Sequence, residues 1–266
     1  MEQFHAVLFA EGTMDELLFH SAYEQFYTMT RTSRAFAAYC RDAFGEDFSQ
    51  DGFSDVRQVA RALEHVQPGN DLHLLDVGCG SGKMLAWLQK QLGGSIHGFD
   101  YSAQAIQTAK ALHTGDFRVA AIGEIDYPEN SFDLITAMDT LYFAPDMAAF
   151  VGQMKRWLKP GGVLFVGYQE GDVQPRTRDV STTVLARALE QHGLAYQAED
   201  ITRETWELLR RKRACAEKHH QAFLDEGNEM WYEMLMGQTE CAMEAYEAFR
   251  EKMARYIFVA KKEDAA

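Results

Sequence analysis

A chain of 266 residues, 47% hydrophobic and 25% charged, has apolar side chains enough for one large core. Its formal net charge of -14 and sequence pI near 5.1 argue against a grip on a phosphate backbone, which needs a basic face, so nucleic acid is not expected as a partner. No run approaches the roughly 18 to 20 apolar residues of a membrane span, and MEQFHAVLFAEGTMDELL lacks the basic-then-apolar order of a secretory leader, so a cytoplasmic protein is expected.

From Met1 to about Asn70 the apolar spacing is helical: Leu17, Leu18, Tyr23 and Phe26 or Tyr27, then Phe36, Tyr39, Cys40 and Phe44, then Val56, Val59, Leu63 and Val66. This predicts an N-terminal helical cap over 1–70, closed by Pro68-Gly69-Asn70. From there to Asp200, runs of strand length alternate with runs of helix length, the pattern of βα units on a parallel sheet. Strands are expected at Leu72 to Val77, Ser95 to Asp100, Phe117 to Ala121, Phe132 to Met138, Gly162 to Tyr168 and Leu194 to Asp200. Between them helices are expected at Gly82 to Leu92, Ser102 to His113, Asp146 to Leu158 and Val180 to His192, with Pro160-Gly161-Gly162 as the turn before the fifth strand. Thr202 to Met253 is helical again, since its only breakers are Gly227 and Gly237. Ala254 to Lys262, ARYIFVAKK, reads as one more strand.

The first strand runs into LLDVGCGSGKMLAWL, and each known glycine turn can be tested on it. A dinucleotide fingerprint with Gly78 and Gly80 fixed needs glycine where Lys83 stands, and a P-loop needs a hydroxyl after Lys83 where Met84 stands. An acid at the strand tip with glycines at alternate positions remains. Gly78 and Gly80 let the backbone approach a ligand closely, and Asp76 attracts a cationic group where a pyrophosphate would be repelled. Asp100 ends the second strand, where an acid accepts hydrogen bonds from ribose hydroxyls, and Tyr101 beside it offers a face to a purine. A positively charged nucleoside without phosphates is the ligand this set implies.

Four segments, LLDVGCGSG, IHGFDYSAQAIQTAK, AAIGEIDYPENSFDLITAMDTLYF and LKPGGVLFVG, stand in the order and spacing of a known family. The chain resembles the class I S-adenosylmethionine-dependent methyltransferases over roughly 70 to 170, and Ala254 to Lys262 resembles their final antiparallel strand. The resemblance implies an α/β fold: a Rossmann-like, doubly wound, mostly parallel seven-stranded sheet with an antiparallel last strand, plus a helical cap or lid. It divides the chain into the cap at 1–70 and a methyltransferase domain at 71–262, with 202–253 a helical insertion between strands that this fold normally joins by a hairpin. It also implies S-adenosyl-L-methionine as cofactor, with Asp76, Gly78, Cys79 and Gly80 along the methionine moiety, Asp100 on the ribose, and Tyr101, Glu124, Ile125 and Met138 completing the site. Glu124 stands where family members often carry Asp and would face the adenine amino group.

A sulfonium methyl is already activated, so the protein must align a nucleophile, exclude water and, for some acceptors, take a proton. The tip of the fourth strand, Met138-Asp139-Thr140-Leu141-Tyr142, loosely resembles the Asn/Asp-Pro-Pro-Tyr motif of amino methyltransferases, which makes Asp139 and Tyr142 catalytic candidates and an amine a candidate acceptor. His20, Tyr23 and Tyr27 share one helix face; His20 is a catalytic candidate, and Tyr23 and Tyr27 are pocket candidates. Tyr168, at the carboxyl edge of the fifth strand, is a fourth catalytic candidate. Cys40, Cys79, Cys215 and Cys241 are too scattered for a zinc site or a disulfide framework, so no metal is expected. The methionines and aromatics of the insertion fit either a lid over a small-molecule pocket or an oligomer interface, in a monomer or homodimer. A sulfonium-consuming cyclase or lyase releasing methylthioadenosine, and a non-catalytic binder, are the alternatives to methyl transfer.

Overall fold

The computed structural model describes residues 19–263, so Leu17 and Leu18 lie outside the described residues. Helix α1 (His20–Thr30) is followed by α2 (Arg34–Phe44), α3 (Val56–Ala60) and a short 3-10 turn at Arg61–Glu64. The expected alternation then follows as β1 (His73–Val77), α4 (Lys83–Leu92), β2 (Ser95–Asp100), α5 (Ala103–Leu112), β3 (Asp116–Val119), β4 (Phe132–Met138), α6 (Met147–Trp157), β5 (Leu158–Glu170), α7 (Val184–Gln191) and β6 (Ala195–Asp200). Helices α8 (Thr202–Asp225), α9 (Glu229–Gln238) and α10 (Tyr246–Lys252) intervene before β7 (Ala254–Lys261).

The strands form one seven-stranded sheet in the order β3-β2-β1-β4-β5-β7-β6. β1 to β5 pair in parallel, and β7 runs antiparallel between β5 and β6. Because successive side chains of a strand face opposite ways, the apolar runs feed two cores. Leu75, Ile135, Leu164 and Phe258 pack under α6 and α7 with Val151, Trp157 and Leu189. Leu74, Leu134, Phe165 and Ile257 pack with Leu85, Leu88 and Ile106 from α4 and α5. The strand order reverses between β1 and β4, so a crevice opens beyond their carboxyl ends.

One expected turn lies elsewhere. Pro160-Gly161-Gly162 sits within β5, because pairing to β4 starts at Phe132 with Leu158 and resumes from Leu134 with Val163, leaving a bulge between. Gly161 takes φ 74° there and its N–H donates to Lys262 O, joining the bulge to the end of β7.

The N-terminal helices and the 202–253 insertion share a core. Phe26, Phe36, Tyr39 and Phe44 from α1 and α2 pack against Leu208, Phe223, Trp231 and Leu235 from α8 and α9. Glu226, just past α8, accepts from Arg34 N and Ala35 N at 2.9 and 3.0 Å and from Ser33 Oγ at 2.5 Å, satisfying donors at the start of α2. The aromatics of the insertion therefore have partners within the chain, although Met230 remains exposed.

Candidate active site

The crevice beyond β1 and β4 is lined by the glycine turn on one side and by α1 and the 48–52 loop on the other. Gly78 and Gly80 sit at φ 70° and 52°, where side-chained residues are strained. A Cβ on Gly78 would meet Thr140 Cγ2 at 2.4 Å, and one on Gly80 would meet Tyr27 Oη at 2.5 Å. Asp100 fixes the turn: its Oδ2 accepts from Gly80 N and its Oδ1 from Ser102 N, each at 2.9 Å. Asp76, beneath the turn, accepts from Thr136 Oγ1 at 2.7 Å.

Both carboxyls are buried, and that dominates their ionisation. Burial raises Asp76 to about 7 against the Thr136 hydrogen bond, with the nearby Asp100 charge adding to the rise. Burial raises Asp100 to about 6 against its two backbone donors. Two acids short of positive charge face a cleft whose described lining contains no lysine, arginine or histidine. That donor set fits a cationic ligand and repels phosphate.

The opposite wall is aromatic. Tyr23 stacks on Tyr27 at 6.2 Å and lies 6.0 Å from Tyr101, which lies 6.3 Å from Phe143, while Tyr142 and Phe143 are 4.8 Å apart. Burial pushes Tyr23, Tyr27 and Tyr142 well above the ordinary phenol range, so each keeps its hydroxyl proton. Lys83, the residue that breaks the dinucleotide pattern, holds the 47–49 segment: its Nζ donates to Asp47 Oδ2 at 2.8 Å and Ser49 Oγ at 2.6 Å.

Eleven expected site residues meet in this cleft: Tyr23, Tyr27, Asp76, Gly78, Cys79, Gly80, Asp100, Tyr101, Met138, Asp139 and Tyr142. Four do not line it. Glu124 is exposed and its Oε2 accepts from Ala121 N at 3.3 Å, closing its own turn, while Ile125 packs in the core under α6; Ala120, Ala121 and Ile122 line the cleft instead. Tyr168 is fully buried against Phe258 in that core, because its position on β5 points away from the cleft, so it is corrected from catalytic to core. His20 packs edge-on against Tyr101 at 5.2 Å and is outside the described lining of the cleft.

Asp139 reaches the cleft but is already engaged. Its Oδ1 accepts from Arg255 Nε at 2.9 Å, and its Oδ2 from Arg255 Nη2 and Phe53 N at 3.0 Å and from Ser54 Oγ at 2.9 Å. Arg255 is fully buried and also donates to Gln58 Oε1 at 2.9 Å and Ser54 Oγ at 2.6 Å. Both carboxylate oxygens are thus occupied by donors from the protein itself, which gives Asp139 a structural role at the cleft wall. It holds the left-handed conformation at φ 59° while tying the tip of β4 to the 53–54 segment and to β7. Sequence reasoning misses this pair and the 48–52 loop; the one local signal is an arginine inside the apolar run ARYIFVA, which needs a buried acid.

Residues 75–166 match the family model described as a methyltransferase domain. Phosphoethanolamine N-methyltransferase 3 of Arabidopsis thaliana is 28% identical over 239 residues, 82% of this chain and 48% of that one. The ubiquinone biosynthesis O-methyltransferase of Bradyrhizobium sp. (strain ORS 278) is 39% identical over 116 residues, 41% of this chain and 45% of the other. The chain thus spans about half the length of these curated relatives. Among solved structures, phosphoethanolamine N-methyltransferase 2 of Haemonchus contortus, in complex with S-adenosyl-L-methionine, shares the fold with a TM-score of 0.71 at 18% identity, over 90% of this chain and 60% of that one. The matched domain over residues 75–166, the glycine turn and the strand order together make this chain similar to the S-adenosylmethionine-dependent methyltransferases.

Proposed function

We propose that the chain transfers a methyl group from S-adenosyl-L-methionine to a small-molecule acceptor, an amine, inside the cleft between the sheet tips and the helical cap. The observation that carries this reading is the pair of buried acids, Asp76 and Asp100, facing a glycine-lined crevice with no basic residue in its described lining. When bound, the donor supplies a methyl on a positively charged sulfur, which an acceptor lone pair takes as the carbon–sulfur bond breaks with its electrons left on sulfur. Asp76, Gly78 and Gly80 would hold the amino-acid end and Asp100 the ribose, with Ala120 to Ile122 beside the base. Tyr23, Tyr142 and Phe143 keep water from the acceptor, and the neutral hydroxyls of the two tyrosines orient it.

The 1–70 segment and the 202–253 insertion act in this reading as one lid on the 71–262 domain, and their shared aromatic core supports treating them as a unit. A lidded cleft favours a small acceptor over a macromolecule, and the names of the relatives, a phosphoethanolamine N-methyltransferase and a ubiquinone biosynthesis O-methyltransferase, support the same class. No helix among the described residues is long and apolar enough to cross a membrane. The free cysteines support a cytoplasmic setting.

Titration calorimetry with S-adenosylhomocysteine tests the cofactor assignment directly: saturable one-to-one binding is expected, and no detectable binding at millimolar ligand refutes it. The raised carboxyls add a pH signature. A cationic donor favours the ionised acids, so binding expels the protons they carry when unliganded. Affinity for S-adenosylmethionine should rise as pH goes from about 5 to about 7, by up to roughly tenfold per unit for each acid that must ionise. In the unliganded protein the sign is reversed. The folded state holds more protons than the unfolded one between the ordinary carboxylate pKa and about 7, so the contribution of Asp76 to stability falls as pH rises through that window. Affinity independent of pH, with no proton release in buffers of different ionisation enthalpy, contradicts this linkage.

A further inference from the structure

One acid in the cleft lining belongs to none of the family motifs. Asp51 lies in the 48–52 loop that lines the cleft. Its Oδ2 accepts from Gln238 Nε2 of α9 at 2.6 Å, while its Oδ1 is out of solvent contact and has no hydrogen-bond partner among the described residues. The buried Lys212 of α8 stands behind the loop, its Nζ donating to Gly52 O at 3.2 Å and Gln238 Oε1 at 3.4 Å, and its charge opposes the rise that burial imposes on Asp51. Lys83 holds the same loop from the other side. A carboxylate oxygen fixed this firmly and left without a donor is costly unless something that enters the cleft supplies one.

What can enter is limited by charge. Among the described residues, the lysines and arginines packed round the cleft are committed within the protein: Arg255 to Asp139, Lys83 to Asp47 and Ser49, and Lys212 to the loop carbonyl and Gln238. None of them is in the described lining, and residues 1–18 contain no lysine or arginine. A phosphate or carboxylate on the acceptor would face Asp51, Asp76 and Asp100 without a counter-charge.

Resting on the methyltransferase reading above, we infer that Asp51 is the specificity residue for the acceptor, and that it selects a small amine carrying an ammonium N–H and no phosphate group. The ammonium N–H donates to Asp51 Oδ1, which takes that proton so that the freed nitrogen lone pair can accept the methyl, and the rings of Tyr23, Tyr142 and Phe143 provide π faces for the cation before it is deprotonated. Although the relatives include enzymes named for phosphoethanolamine, this cleft discriminates against phosphorylated amines.

The test is calorimetry on the full chain saturated with S-adenosylhomocysteine, with dimethylaminoethanol as the probe, isoamyl alcohol as its uncharged isostere, and the phosphate ester of dimethylaminoethanol as the anionic arm. The amine should bind at least about tenfold more tightly than either of the other two. Asp51→Asn should lower amine affinity at least about tenfold while changing S-adenosylhomocysteine affinity less than twofold, and Asp51→Glu should restore part of the loss. Preference for the phosphate ester, equal binding of the alcohol, amine binding unchanged in Asp51→Asn, or no amine binding at all overturns the inference. Failure of S-adenosylhomocysteine to bind would instead remove the methyltransferase reading beneath it, so the two failures are distinct.

Discussion

Asp139→Ala should lose about 3 to 5 kcal/mol of unfolding free energy in urea titrations, the scale expected when one partner of a buried ion pair is removed. Arg255 has no exposure and its remaining partners, Gln58 Oε1 and Ser54 Oγ, carry no charge. Truncation also strips the acceptor from Phe53 N and Ser54 Oγ, which detaches the tip of β4 from the segment that leads into α3. Arg255→Met should be costly for the converse reason, since it strands the carboxylate. The combination of Asp139→Asn with Arg255→Met should be less harmful than the sum of its parts by about 1 to 3 kcal/mol, the coupling expected of residues in direct contact. Additive losses, or a loss under about 1 kcal/mol for Asp139→Ala, would show that the pair is not the joint between β4, β7 and the cap. A proton-transfer role makes a different prediction for Asp139→Asn: a fold of near-normal stability with turnover abolished.

Asp100→Ala should weaken S-adenosylmethionine and S-adenosylhomocysteine binding by about 1.5 to 3 kcal/mol, roughly ten- to 150-fold, the scale of hydrogen bonds to a charged group. Two effects combine here. The ribose loses its acceptor, and Gly80 N and Ser102 N lose theirs, so the glycine turn is no longer held in shape from below. Asp100→Asn separates them in part, since the amide retains one acceptor oxygen and no charge, and should fall between wild type and Asp100→Ala. Stability should respond far less than affinity, because burial already disfavours the charged form of this acid. Unchanged affinity by calorimetry would remove Asp100 from the cofactor site.

The contrast between these two acids shows what a sequence discloses. Asp100 is recognisable because its partners are local or lie in the same motif: it ends a strand bounded by Gly94 and Ser102, and its donors are Ser102 N and the nearby Gly80 N. The limits of β2 and β4 are legible for the same reason, since each is a short apolar run closed at both ends by polar or turn residues. Asp139 looks like an available acid because the arginine that neutralises it stands on β7, beyond a long helical insertion, and no periodicity records that pairing. Asp51 is invisible on similar grounds. Its place in the cleft is set by Gln238, Lys212 and Lys83, which come from α9, α8 and α4. Glu124 is misplaced by one short turn: the backbone reaches the cleft at Ala120 to Ile122 and has left it by Gly123. The Tyr168 error is one of strand parity, since a residue at the carboxyl edge faces the cleft or the core according to the pleat.

In the proposed reaction a cationic donor held by Asp76, Gly78, Gly80 and Asp100 gives up its methyl group to an amine in the cleft. Mass spectrometry of the products tests it most directly, after incubation of the purified chain with S-adenosylmethionine carrying a labelled methyl and with dimethylaminoethanol. S-adenosylhomocysteine and the labelled methylated amine are expected in equal amounts, with the yield reduced by both Asp100→Ala and Asp51→Asn. Release of methylthioadenosine, or no consumption of the donor by a protein that binds both ligands, would contradict it.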